Sequence, residues 1–338
     1  MGVKWEKLED KNEWDSFVTG AAEASIFHTW SWRSALELGG YEPVYLGYRQ
    51  PETDELSAVW PLFFEKAKGI FYLLNSMPEG DVGGPLVSKN LSGLESVFTT
   101  ALDSLPKSTR IVISLRSRVN VERVKDALAR MGYRFSSGSG YFRVNLDSDN
   151  LGRIWNRVFA HDERRLIRYL DRQGKWTEVR ACADAMPLFY ELYKQTMQRQ
   201  GYRLHPEGFM GNVVKAFHDD FKVLLVYSGG RPVCATSFLA NRSLGTVHLT
   251  YVGYVTEKRS VSPYFFAVWK WLGWAAANGY HVANLGNGSS DPTSPNFTFK
   301  KKFGGDFHIQ YTFTIPVNKT LYHFARTMRG FAQRIKST

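Results

Sequence analysis

Three consecutive lysines, Lys300, Lys301 and Lys302, sit between Phe299 and Phe303 and run into Gly304-Gly305. They close a stretch, YHVANLGNGSSDPTSPNFTFKKKFGG, that opens as a short apolar strand and breaks into a loop of Gly, Asn, Ser, Pro and Asp. Such a run is either a solvated face or, pinned against a core by its flanking aromatic residues and Gly pair, a seat for an anion. A second cationic group stands at TEKRSVSP, where a strand gives way to a helix with Ser262 as N-cap and Pro263 at the first helical position. Open N–H groups and a partial positive charge at that end, with Lys258 and Arg259 alongside, would hold a pyrophosphate. The other reading is an exposed basic loop that only caps the helix. Arg199 with Tyr202 one turn later forms an anion clamp with a ring to hold a substrate, unless core packing accounts for Tyr202. On HDERRLIRYLDRQGK, Arg164 and Arg168 share one helix face. They track a phosphate backbone, or they pair with Asp162 and Asp171 on a solvated helix.

Other chemistries find little support. The eight histidines form no HExxH pair, the serines no GxSxG elbow, and no Gly-x-x-x-x-Gly-Lys-Ser/Thr loop occurs. His248 lies inside an alternating strand, as a structural histidine does. Cys182 and Cys234 are too few for a disulfide framework or a zinc site. No metal and no tightly bound cofactor is expected, and group transfer from an anionic carrier is the chemistry that remains.

The elements that must position these residues occur in two similar series. The first runs from a strand over 3–8 through helices, two alternating strands (EPVYLGYRQ and ELSAVWPLFFEKA), a Gly/Pro-rich loop, RIVISL, a helix over 121–131 and the strand YFRVNL. The second opens with a long basic helix over 151–173 and the strand WTEVRA. It continues with the helix MPLFYELYKQTMQRQG, a hairpin across Gly229-Gly230, the strand GTVHLTYVGYV, a helix over 262–278, YHVANLG, HIQYTFTIPV and an amphipathic helix over 321–335. The repeated order implies an internal duplication of one α/β domain. The 338 residues, 43% hydrophobic and 22% charged, suffice for two such domains. The formal charge of +11 favours phosphate-rich partners: nucleic acid, coenzyme A, nucleotide sugars or anionic membrane surfaces. No apolar run reaches the ~20 residues of a membrane span, and the first residues carry no secretory signal, so a cytoplasmic location is expected.

Taken in order, SIFHTWSWRSALELGGYEPVYLGYR with LSAVWPLFF, FYELYKQTMQRQGYR, GTVHLTYVGYV with SPYFFAVWKWLGWAAANGY, and ANLGNG with FTFKKKFGGDF resemble the Fem-type acyltransferases (FemABX), which form peptidoglycan bridges. These stretches cover most of the chain. The resemblance implies two tandem GNAT-like domains, 1–148 and 149–338, each a mixed, mostly antiparallel sheet flanked by helices, with the chemistry in the second. It implies transfer of an acyl or aminoacyl group from aminoacyl-tRNA or an acyl-thioester such as acyl-CoA to an amine of a cell-envelope precursor or other small acceptor. The alternative is a non-catalytic tandem GNAT-like protein that binds RNA or an anionic polymer. The Phe-Lys pair of the family matches Phe299 and Lys300, whose cation would stabilise a tetrahedral oxyanion. Arg199 and Tyr202 resemble the family's phosphate contacts, Tyr251 and Tyr254 line the cleft, and Trp30, Trp32 and the loop 78–85 shape the acceptor side. The first domain is expected to lack a donor site. Two departures stand out: Leu36 occupies the place of a phosphate-binding lysine, and 206–218 is too short for the helical arm of tRNA-dependent members. An acceptor other than a nucleotide-linked muropeptide fits at least as well. Peripheral association with anionic surfaces is a further expectation.

Overall fold

The computed structural model describes residues 5–68, 70–105, 111–119, 121–172, 176–255, 263–324 and 327. The chain divides into two units, the first of Met1–Arg33, Gly40–Gly138 and Gln310–Thr338, the second of Ser34–Gly39 and Ser139–Ile309. Both are α/β, with mixed sheets in which antiparallel pairs predominate.

In the first unit β1 (Trp5–Lys7) leads to α1 (Lys11–Gly20), where the Asp10 carboxylate accepts from the Asn12 and Glu13 amides and Trp14 and Val18 face inward. After α2 (Trp30–Leu38), whose last turn belongs to the second unit, come β2 (Glu42–Arg49), β3 (Leu56–Lys68), β4 (Phe71–Asn75), the short β5 (Leu86–Val87), α3 (Leu94–Asp103), β6 (Ile111–Val119) and α4 (Glu122–Arg130). Strands β1 to β4 form an antiparallel meander, β6 joins β4 in parallel, and β6 then pairs antiparallel with the last strand among the described residues, β13 (Asp306–Pro316). Residues 310–338 therefore group with the first unit, whereas a division at 148 leaves them with the second. The core gathers Trp5, Trp60 and Phe98, with the Trp5 indole donating to the Val97 carbonyl at 2.7 Å.

The second unit receives β7 (Phe135–Asn145), α5 (Ser148–Arg153), α6 (His161–Arg172), β8 (Trp176–Ala181), α7 (Cys182–Gln200), α8 (Glu207–Phe217), β9 (Phe221–Ser228), β10 (Arg231–Asn241), β11 (Thr246–Tyr254), α9 (Pro263–Ala277), β12 (Val282–Ser289) and α10 (Pro295–Lys301). Its strands lie in the order β8-β9-β10-β11-β12-β7, with β11 and β12 the parallel pair. The Gly229-Gly230 hairpin forms as its sequence dictates. Helix α9 covers the face carrying Phe238, whose ring lies 5.5 Å from Trp271 and 5.0 Å from Trp274. Helix α7 covers the other face, so tightly that a Cβ on Gly253 would strike the backbone of Leu192 and Tyr193.

The single helix predicted over 151–173 needs correction. After α5 the chain makes a π-helical turn at Ile154–Val158, Phe159 turns extended, and α6 starts afresh. The Phe159 ring is buried beside Phe265 (5.3 Å) and Trp269 (4.9 Å), and burying a large ring outweighs one helical turn. One guanidinium takes the carbonyls the break leaves open: Arg164 donates to Trp155, Asn156 and Phe159 at 3.1, 3.2 and 2.6 Å. Arg164 is thus a structural cap, while Arg168 lies over the Trp155 ring. Of the helix expected over 321–335, only 321–324 and 327 fall among the described residues, and these are helical.

Candidate active site

Strands β11 and β12 pair only at Thr246–Val282, Val247–Ala283 and His248–Asn284, and then separate. A β-bulge lies just beyond the fork on each strand. On β11, Thr250 and Tyr251 together oppose Ser237 of β10, and the Ser237 hydroxyl accepts from the Tyr251 amide (3.1 Å) beside the Thr250 hydroxyl (2.9 Å). On β12, Leu285 and Gly286 together oppose Phe142 of β7. An extra residue bends and twists the strand that carries it, so the two bulges turn a parallel pair into a splay.

Separation exposes an edge of β11, and α7 covers its far end. Thr196 accepts from the Tyr254 amide (2.8 Å), and its hydroxyl and the Arg199 guanidinium contact the Tyr254 carbonyl at 3.1 and 3.0 Å. Side chains thus replace the missing strand at that one residue.

Lys300 lies on the opposite arm. Helix α10 starts from Ser294, whose hydroxyl accepts from the Phe297 amide, with Pro295 at the first position. One and a half turns later this places Lys300 inward, 5% exposed, its ammonium donating to the carbonyls of Gly286 (2.8 Å) and Asn287 (2.7 Å). Lys300 is thus built into the bulge of β12. Lys301 and Lys302 are exposed, and Lys302 pairs with Glu163 at 2.8 Å. A Cβ on Gly288 would run into the Asn296 side chain, so α10 sits directly on this strand.

Phe299 completes a ladder across the mouth of the splay. Its ring stacks on Tyr264 (4.7 Å, 13°), Tyr264 on Tyr254 (5.9 Å, 7°), and the Arg199 guanidinium lies 4.9 Å from the Tyr254 centroid. Burial pushes the Tyr264 phenol well up, so it stays neutral. The structure thus brings Arg199, Tyr254, Phe299 and Lys300 together, through residues the sequence reading missed: Tyr264, Thr196 and Ser237. A tyrosine directly after a helix-starting proline is the one local signal for Tyr264.

Other expected site residues lie elsewhere. Tyr251 faces α7, its ring 5.7 Å from Tyr193 and 5.2 Å from His205, whereas Tyr254 faces α9; the bulge and strand alternation part the two tyrosines. Tyr202 is 67% exposed beyond the left-handed Gly201 that ends α7, and Arg199 turns to Tyr254 instead. In the first unit, Trp32 is 1% exposed and packs edge-on against Phe27, so its ring is core rather than cleft. Trp30 is half-buried with the Arg33 guanidinium 4.0 Å above it. Leu36 is fully buried and His248 nearly so. Lys258, Arg259 and Ser262 lie outside the described residues. Among the described residues no three His, Cys, Asp or Glu side chains gather as metal ligands, and no helix is long and apolar enough to cross a membrane.

A parallel pair opened by bulges, with cations and amides at its mouth, is an arrangement suited to acyl transfer. Residues 142–301 match the family model of the acetyltransferase (GNAT) domain, and the chain is an acyltransferase by class. Its fold as a whole is the tandem GNAT-like fold that the resemblance to the Fem-type acyltransferases implied. FemX matches it with a TM-score of 0.75 at 15% identity, over 95% of this chain and 99% of FemX. A tandem GNAT protein from the clavulanic acid biosynthesis pathway gives 0.60 at 10% identity, over 94% of this chain and 99% of that one. The C-terminal domain of a proposed lysylphosphatidylglycerol synthetase from Agrobacterium fabrum gives 0.57 at 12% identity, over 95% and 97%. At these identities the likeness is one of fold. No curated protein matches the sequence.

Proposed function

We propose that the chain transfers an aminoacyl or acyl group from aminoacyl-tRNA or an acyl-thioester to an amine of a cell-envelope precursor or another small acceptor, in the splay of β11 and β12. The observation that carries this reading is the Lys300 ammonium, held by two carbonyls on the β12 arm of the fork. The amine attacks the ester or thioester carbonyl, a C–N bond forms, and the carbonyl oxygen becomes an oxyanion. Lys300 stabilises that charge, preorganised by its two carbonyl bonds. Collapse breaks the C–O or C–S bond, and the proton the amine gives up ends on the leaving oxygen or sulfur. Phe299, Tyr264 and Tyr254 hold the mouth in shape, Arg199 fixes its far corner, and Lys258, Arg259 and Ser262 supply the donor's phosphate contacts.

Incubation with charged tRNA or an acyl-CoA panel, together with an amine panel, tests the reading by mass spectrometry of the products. A mass gain equal to the acyl group on one acceptor is expected. Binding of the donors without turnover across both panels would replace the enzyme with a carrier or an RNA-binding protein.

A further inference from the structure

We propose that the outer face of α6 and the π-helical turn before it docks the protein on an anionic lipid bilayer, independently of the transfer reaction. Ile167 and Leu170 turn α6 inward, which leaves Arg165, Arg168, Tyr169 and Arg172 on an exposed stripe. The three acids of this helix are each matched by a cation: Asp162 by Arg165 (3.2 Å), Glu163 by Lys302 (2.8 Å) and Asp171 by Lys270 (2.7 Å). Arg168 and Arg172 therefore stand as net positive charge, and the exposed Arg157 adds to them from the π-helical turn.

Apolar groups lie among these cations. Tyr169 is 48% and Val158 36% exposed, and the Arg168 guanidinium lies 5.4 Å over Trp155, which stacks on Trp269 at 5.6 Å. Both indoles are half-buried. Arginines drawn to lipid phosphates, with tyrosine and tryptophan at headgroup depth, are the composition of an interfacial face. An RNA backbone would use the arginines and gain nothing from Val158, so the bilayer is the occupant this surface favours.

Flotation of the full chain with vesicles of phosphatidylglycerol and phosphatidylcholine, against phosphatidylcholine alone, tests the assignment. Binding should require the anionic lipid. Each cation near such a surface contributes roughly fivefold in affinity, so Arg168→Gln with Arg172→Gln should weaken binding about 25-fold. Tyr169→Ser with Val158→Ser should weaken it further, while Lys66→Gln with Arg231→Gln, two exposed cations elsewhere, should stay within about twofold. All these side chains are exposed, and unchanged thermal melts will show that the variants fold. Equal losses in the control pair would reduce the effect to diffuse charge and overturn the proposal. So would vesicle binding indifferent to the α6 substitutions, or loss in those variants of RNA binding alone.

Discussion

Replacing Lys300 with alanine should do two separable things. Its ammonium donates to the Gly286 and Asn287 carbonyls from a side chain only 5% exposed. Hydrogen bonds to a charged group contribute about 1.5–3 kcal/mol each, offset in part by the cost of desolvating the ammonium. A net loss of about 3 kcal/mol is expected, which in a unit of this size lowers Tm by roughly 6–12 °C. Lys301→Ala, one position on and exposed, should change stability by less than about 0.5 kcal/mol. If Lys300 also meets the oxyanion, single-turnover transfer measured well below both melting points should fall by roughly 10²-fold or more per folded molecule in Lys300→Ala and little in Lys301→Ala. Lys300→Met keeps the stem and removes the charge, so it should recover some packing and none of the rate. A Lys300→Ala protein that melts within 2 °C of the parent would refute the structural part of this reasoning. One that melts early but transfers at full rate would leave Lys300 as a strut of the β12 bulge and nothing more.

Tyr264→Leu should lower kcat about tenfold by loosening Phe299 and the helix that carries Lys300, while Tyr264→Phe keeps the stack and should stay within about threefold; equal losses in the two would assign the effect to the hydroxyl. Gly253→Ala should cost more than about 2 kcal/mol in thermal melts, because the added methyl meets α7 backbone that has nowhere to go. In the first unit, burial holds the His28 imidazole down at about 4 against an ordinary 6.5, with Nδ1 accepting from Ser25 and Nε2 donating to the Gly84 carbonyl. The folded pKa lies below the unfolded one, so this stability is complete above pH ~6.5 and is lost as the pH falls toward 4. About 3 kcal/mol is at stake, and a His28→Gln protein should show a flatter Tm against pH between 7 and 5; identical slopes would exclude His28 as the source.

What the sequence disclosed and what it withheld divide along a physical line. The hairpin at Gly229-Gly230, the Pro263 start of α9 and the β12 strand are local: turn chemistry, capping and alternation specify them within a few residues. The pairing of β13 with β6, joining Tyr311 to Val119, leaves no trace in periodicity. Nor does the break before α6, where propensity favours helix but Phe159 is drawn into the aromatic core. Lys300 was partly legible. Ser294 and Pro295 announce a helix, and a spacing of three then sets Lys300 on the face of Phe297 and Phe303, which marks it as inward-facing. The sequence alone leaves a solvated face and a pinned anion seat both open, and it is the Gly286 and Asn287 carbonyls that show how far inward Lys300 is drawn.

The two units also differ where the proposed chemistry depends on it. In the first, β4 stays paired with β6 from Phe71–Ile111 to Asn75–Arg116, across one register shift between Tyr72 and Leu73 that does not part the strands, and Ser76 prolongs the ladder with its amide on the Arg116 carbonyl at 2.9 Å. The Ser76 hydroxyl then accepts from the Arg118 amide at 3.1 Å, and the Gly84 backbone lies so close to the Arg118 carbonyl that no Cβ would fit. Backbone thus fills the place that stands open in the second unit, where β12 leaves β11 after three pairs. A donor's acyl arm would pair with strand-edge amides on Leu249 to Tyr254, the segment of β11 from which β12 has withdrawn, other than the Tyr251 and Tyr254 amides that Ser237 and Thr196 already hold. One fold, used twice, therefore gives one unit whose parallel pair is sealed and one whose pair is held apart by bulges, and the proposed donor site falls to the second for that reason alone.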